Sequence, residues 1–152
     1  TTNGNLTVQY VVQAVGAING CLSDPRTITM TIQPEPVIAT TLNATVCSDQ
    51  VVGLVLNTNG TSVPAATYNI VSRTVAGALT PVNQVAVPAV GVGDNYLQGE
   101  IYANTGSVPL TVQYVVEARG TIGNCLGDTR TITITIDPEP VVSPTLDASV
   151  CS

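Results

Sequence analysis

Leu110-Thr111-Val112-Gln113-Tyr114-Val115-Val116, followed after a turn by Thr131-Ile132-Thr133-Ile134-Thr135-Ile136, is the stretch that decides the fold. Its second half alternates threonine with isoleucine, the period-2 signature of a strand with one buried face. Its first half is rich in valine around one tyrosine, and Gly120-Thr121-Ile122-Gly123-Asn124 joins the two as an antiparallel hairpin. The same hairpin occurs earlier, as Leu6-Thr7-Val8-Gln9-Tyr10-Val11-Val12 and Thr27-Ile28-Thr29-Met30-Thr31-Ile32. Residues 1–48 align without a gap onto residues 105–152 at an offset of 104, with 30 identities in 48 positions. Pro34-Glu35-Pro36 returns as Pro138-Glu139-Pro140, Cys21 as Cys125 and Cys47 as Cys151. Self-similarity at a fixed period marks an array of like units, and this period is the size of a small complete domain. The chain therefore reads as one and a half units.

Between the hairpins, Val51–Leu56 reads as a central strand and Ala66–Val75 as another built around Tyr68, with Val85–Val87 and Tyr96–Tyr102 supplying the rest. Turn-forming residues cluster at Asn57–Gly60, Ala78–Pro81 and Gly91–Asn95. No stretch carries a helical stripe. About seven short strands in a unit of this size predict a two-sheet sandwich with Greek-key connections. The expected fold class is thus all-β: tandem β-sandwich modules with a 104-residue period. Pro34, Pro36, Pro138 and Pro140 make short stiff linkers, since proline cannot donate to a ladder and restrains the residue before it. The boundaries that follow are the C-terminal strands of a preceding repeat at 1–36, a complete repeat at 37–140, and the first strand of a following repeat at 141–152. The sequence reads as a window cut from a longer polypeptide.

Composition narrows the function. Charged residues are only 9% of the chain, and ten carboxylates against four arginines give a net charge of −6. That balance disfavours nucleic acid or an anionic membrane as partner, because phosphates require a basic face. At 44% hydrophobic, the chain has the means to build a core. No apolar run approaches the ~18 residues of a membrane span, and no basic n-region opens the chain, so any export signal is expected outside this segment.

The resemblance of these residues is to the PKD-like and immunoglobulin-like repeats of very large bacterial surface proteins. It rests on Gly99-Glu100-Ile101-Tyr102-Ala103-Asn104-Thr105, Leu110–Tyr114, Gly123-Asn124-Cys125, Thr131–Ile136, Pro138-Glu139-Pro140 and Val150-Cys151-Ser152. Asp49 stands where such repeats commonly carry glycine after Cys-Ser, and Tyr68 is the aromatic of the central strand. What the resemblance implies is an extracellular array of tandem immunoglobulin-like (PKD-like) β-sandwich modules serving as stalk or adhesin. Tyr10 and Tyr114 hold equivalent strand positions and are expected to be structural, either as a tyrosine corner whose hydroxyl bonds nearby backbone or as ordinary core aromatics.

The residue inventory argues against catalysis. Without histidine or lysine, neither a Ser/His/Asp or Cys/His nucleophilic site nor a Schiff base can be assembled. Asp94, Glu100 and Glu117 are the carboxylates to consider for glycoside hydrolysis, and all three are expected to be solvated acids on separate loops and strands. No cofactor is expected. Calcium at the linkers would draw on Glu35, Glu139, Asp24 and Asp128, although no Asp-x-Asp-x-Asp loop exists; Asp24–Arg26 and Asp128–Arg130 read better as surface ion pairs. Asn5, Asn43 and Asn59 satisfy the Asn-x-Ser/Thr acceptor rule, with Asn59 in a turn the best placed for a covalent glycan.

Four cysteines in a lysine-free chain fit an oxidising compartment and structural disulfides. Three pairings stand open. Cys47 with Cys125 lies within one unit and is favoured on that ground, although an orthodox immunoglobulin topology places the two at opposite ends. Other pairings join neighbouring repeats or chains, or link Cys21 to Cys47 across the linker; Cys151 belongs to the same scheme. The expected function is a structural repeat segment of a long extracellular bacterial fibre, stalk or adhesin, whose partners are neighbouring repeats and identical chains. The alternative is a carbohydrate-binding or spacer module of a secreted enzyme, with Tyr68 or Tyr102 as stacking platform.

Overall fold

A computed structural model describes residues 4–140 and residue 142; most of the segment expected to begin a following repeat, 141–152, lies outside the described residues. Nine strands and no helix occur among them: β1 (Leu6–Val12), β2 (Arg26–Ile32), β3 (Ala44–Cys47), β4 (Ala65–Val75), β5 (Thr80–Asn83), β6 (Ala89–Val92), β7 (Ile101–Ala103), β8 (Leu110–Gly120) and β9 (Arg130–Asp137). The chain is all-β. The expected hairpins both form, β1 against β2 and β8 against β9, in registers that differ only by the offset: Tyr10 faces Ile28 as Tyr114 faces Ile132, and Leu6 faces Ile32 as Leu110 faces Ile136. Their turns match too. Gly16 N donates to the Cys21 carbonyl and Gly120 N to the Cys125 carbonyl, each at 2.8 Å.

Residues 37–140 form a sandwich. One layer is a mixed five-stranded sheet in the order β3-β9-β8-β4-β6, with β3 parallel to β9 and every other pairing antiparallel. The second layer is smaller and pairs β5 with β7. Residues 49–56 run along the other side of β7 and the turn before it, with Val52 N donating to the Glu100 carbonyl at 2.8 Å and Gly53 N to the Gln98 carbonyl at 2.9 Å. The period-2 pattern works as expected across the larger sheet. Val112, Tyr114 and Val116 of β8 and Ile132, Ile134 and Ile136 of β9 lose all solvent contact, while their threonine and glutamine neighbours point outward.

Three expected strands are not regular. Val51–Leu56 is an extended segment with alternating burial, Val52, Leu54 and Leu56 inside and Val51 and Val55 outside. Gly53, at φ 67°, interrupts its ladder. Val85–Val87 forms no strand; the chain there passes through a cis Val87–Pro88 bond, with β5 and β6 on either side. In place of Tyr96–Tyr102 only Ile101–Ala103 is a strand, and residues 94–99 are turn. Asp49 adopts φ 61°, the left-handed conformation to which glycine is best suited and which Asp and Asn tolerate.

The linker Pro34-Glu35-Pro36 has a seat. Pro36 is buried and its two predecessors are half-buried, lying on the turn between β8 and β9. A Cβ on Gly127 would collide with the Pro36 carbonyl, and one on Gly123 with the Gln33 side chain. Val37 N then donates to Ser62 Oγ at 2.9 Å, fixing the entry into the sandwich. Among the described residues Pro138-Glu139-Pro140, of identical sequence, rests on no such seat, and Glu139 and Pro140 are exposed.

Truncating the same repeat position in the two hairpins should separate their energetics. Ile134→Ala is expected to destabilise the chain by about 2–5 kcal/mol, as for a fully buried isoleucine, whereas Met30→Ala should change it by less than ~0.5 kcal/mol, as for an exposed site. Urea denaturation of both variants measures the contrast.

Candidate functional site

The expected solvated acids divide three ways. Asp94 is exposed, and Glu117 is half-buried on β8 and accepts from Asn69 Nδ2 at 2.9 Å. Glu100 departs from expectation, because it is wholly buried between the layers. It is there because β7 is so short: the turn at 94–99 delivers Glu100 into the core one residue ahead of the strand. Its Oε1 pairs with Arg73 Nη1 at 2.8 Å and accepts from Val85 N at 3.2 Å. Its Oε2 accepts from Tyr102 Oη at 2.8 Å and from Tyr114 Oη, and the two phenols lie 3.0 Å apart. Arg73 completes the cluster by donating to the Val85 carbonyl at 3.1 Å and to Gln84 Oε1 at 2.9 Å.

This arrangement is structural chemistry. Both Glu100 oxygens, both phenols and both terminal nitrogens of Arg73 have partners, and among the described residues no buried side-chain nitrogen or oxygen lacks one. A shallow cleft of about 220 Å³ reaches Arg73 between Val71 and Pro88, but the guanidinium is already committed to Glu100 and Gln84. Tyr114 thus acts neither as a tyrosine corner nor as a plain apolar ring, since its hydroxyl goes to a carboxylate across the sandwich. Burial pushes its phenol well above the ordinary tyrosine range, and the hydrogen bonds to Glu100 and Tyr102 add to the shift. Burial also raises the phenols of Tyr102 and of Tyr68, the latter helped by the charge of Asp94. The rings of Tyr68 and Tyr102 face the core, so neither presents a stacking platform for sugar.

The other sequence-level sites remain apart. Among the described residues no group of three or more acidic or cysteine side chains stands close enough to hold a metal ion. Arg130 donates to the Thr40 carbonyl at 3.4 Å instead of pairing with Asp128, and Arg73–Glu100 is the sole salt bridge among the described residues, so Asp24–Arg26 forms none. Asn59 is exposed in its turn, where its Oδ1 accepts from Thr61 N at 3.0 Å and Ser62 N at 2.8 Å, beside a shallow cleft of about 260 Å³. Asn43 Oδ1 is engaged by Thr133 N at 2.9 Å, and Asn5 is exposed ahead of β1. Cys21, Cys47 and Cys125 are free thiols. The bridge favoured from sequence, Cys47 to Cys125, is not formed here: Cys47 lies beside Asp137 at one end of β9 and Cys125 precedes Arg130 at the other, about 25 Å apart along an eight-residue strand.

What the described structure does offer is an apolar face. β1 and β2 contact each other and no other strand substantially, and the residues that make up the core face of β8 and β9 recur on them in the open. Tyr10 is 52% exposed, Ile28 47% and Met30 54%, where Tyr114, Ile132 and Ile134 are at 0%. Val8, Val12 and Ile32 extend the patch, which is of the kind that monomeric surfaces rarely show. No helix among the described residues is long and apolar enough to cross a membrane. Comparison with protein-family models, with curated proteins and with solved structures finds no match to this chain.

Two outcomes test the buried cluster. Arg73→Ala leaves the Glu100 carboxylate unpaired in the core and should cost about 3–5 kcal/mol in urea denaturation. The raised phenols favour the protonated fold, so their contribution is fully present below pH 10.0, the ordinary tyrosine value, and is lost as pH rises above it, where the unfolded chain releases protons that the fold retains. Stability measured from pH 9 upward should fall, and should fall less steeply in Tyr114→Phe.

Proposed function

We propose that this chain is a segment of a tandem array of immunoglobulin-like β-sandwich modules, and that its work is structural: a stiff extracellular fibre, stalk or adhesin on a bacterial cell. The observation that carries this reading is the open face of β1–β2. It repeats in the same register, with Met30 in place of Ile134 as the one difference among these side chains, a surface that residues 37–140 bury completely. A two-stranded hairpin is marginal alone, and covering each such side chain contributes about 1.5–3 kcal/mol. The occupant that fits is a segment of the kind formed by residues 37–104, which covers the equivalent face of β8–β9.

Strand order supports the immunoglobulin-like assignment. β9-β8-β4 has the arrangement of the G, F and C strands, and residues 49–56, β7 and β5 have that of the B, E and D strands of the opposite sheet; β6, which adds to β4, departs from the variable type because it follows β5 in the chain instead of preceding it. The linkers support the array, because Pro34–Pro36 rests on the following sandwich while the same tripeptide at 138–140 is unseated among the described residues. Few charges and an ionic cluster centred on a buried carboxylate suit a load-bearing bead better than an enzyme. Electron microscopy of the parent protein should show a beaded thread with one bead per 104 residues; a compact particle by X-ray scattering would overturn the reading.

A further inference from the structure

The cysteine positions of the repeat mark opposite ends of the sandwich. Cys47 closes β3 beside Asp137, at the end where the chain leaves for Pro138. Its backbone is pinned there: Ser48 N donates to the Asp137 carbonyl at 2.8 Å, Gln50 N to the Cys47 carbonyl at 3.2 Å, and Ser48 Oγ accepts from the buried Asn104 backbone amide at 2.8 Å. The Cys47 side chain is exposed. Cys125, half-buried, is fixed at the other end by the Gly120 hydrogen bond to its carbonyl. It stands between Gly123 and Gly127, the two glycines on which the arriving linker sits.

Gln33 connects these two ends across a junction. It holds, at the end of β2, the repeat position of Asp137, and its side chain lies on Gly123. In the register that sets Cys47 beside Asp137, the counterpart of Cys47 in an upstream module stands beside Gln33, one strand spacing or about 4.8 Å away. Cys125 is two residues from the glycine that Gln33 touches, at most ~7 Å of chain. The exposed thiol of one module and the turn thiol of the next thus come to the same junction, on either side of Gln33.

We propose that Cys125 forms a disulfide with the counterpart of Cys47 in the module upstream, and Cys47 with the counterpart of Cys125 in the module downstream, so that each junction carries a covalent rung. This rests on the tandem-module reading. The length of β9 holds Cys47 and Cys125 of one module far beyond the ~7 Å Cα separation that a disulfide tolerates, and β2 carries Cys21 to the end of its hairpin remote from the linker. Forming the rung breaks two S–H bonds and makes one S–S bond. Two electrons and two protons pass to an exogenous disulfide, which is reduced to two thiols.

Fusing a copy of residues 37–104 ahead of Thr1 tests the rung, because residue 104 of the copy then continues into Thr1 as Asn104 continues into Thr105. With Cys21→Ser, Cys151→Ser and Cys47→Ser in the original sequence, only the copied Cys47 and Cys125 remain. In oxidised glutathione the monomer is expected to lose two hydrogens by intact mass and to yield the cross-linked peptide pair on non-reducing mapping. That product should exceed the glutathione mixed disulfide at least about tenfold, as for thiols at millimolar effective concentration. Hydrogen exchange across β1–β2 is read on the same sample. A protected hairpin with unlinked thiols overturns the rung and leaves the array standing; an unprotected hairpin overturns both. The 152-residue chain keeping only Cys47 and Cys125 should form no intramolecular disulfide, and the appearance of one would also overturn the proposal.

Discussion

An antiparallel hairpin has two faces and cannot cover either of them itself. Everything else in this structure follows from how that constraint is met in one hairpin and left open in the other. β8 and β9 turn Val112, Tyr114, Ile132 and Ile134 toward a second layer built from residues 49–56, β7 and β5, and become the floor of a core with no solvent contact. β1 and β2 carry the same pattern, the same register and the same turn hydrogen bonds, yet their apolar side faces water. Local sequence is therefore enough to specify the hairpin. The layer above it decides whether the hairpin belongs to a core.

That layer brings one charge inside with it. Burying a carboxylate is costly unless it is paired and hydrogen-bonded, and Glu100 is both. Arg73 reaches it from β4, Tyr102 from β7 and Tyr114 from β8, so a single carboxylate gathers strands of both sheets. Such a cluster fixes how the layers sit on one another in a way that isoleucine and valine, which tolerate sliding, do not. Asn104 performs a smaller version of the same task, joining the Val108 and Ile136 carbonyls at the lower edge.

The hairpins were legible in sequence because strict alternation is a local signal and because repetition doubled it. The second layer was less so. Val51–Leu56 has the composition of a central strand, but Gly53 at positive φ breaks its pairing, and no local rule announces that a glycine will turn over in place. Nor does composition reveal that Val85–Val87 is passed over between two short strands. The ordinary behaviour of acids predicts a solvated Glu100; its fate depends on Arg73, 27 residues away in sequence, and such long-range pairing carries no periodic signature. The separation of Cys47 from Cys125 was visible in outline, since it needs only the strand order, yet the favoured pairing gave more weight to membership of one unit than to the ends those residues occupy.

The linker seat has a last consequence. Gly127 lets the Pro36 carbonyl approach where no side chain fits, but its counterpart in the first hairpin is Ser23. That hydroxyl accepts from Ala14 N at 2.9 Å and donates to the Asp24 carbonyl at 3.1 Å, filling the space in question. A proline arm arriving there must take another path. In an array of the kind proposed, successive joints would then differ in angle and in compliance, giving it bends at set places along its contour, written by single glycine-to-serine changes.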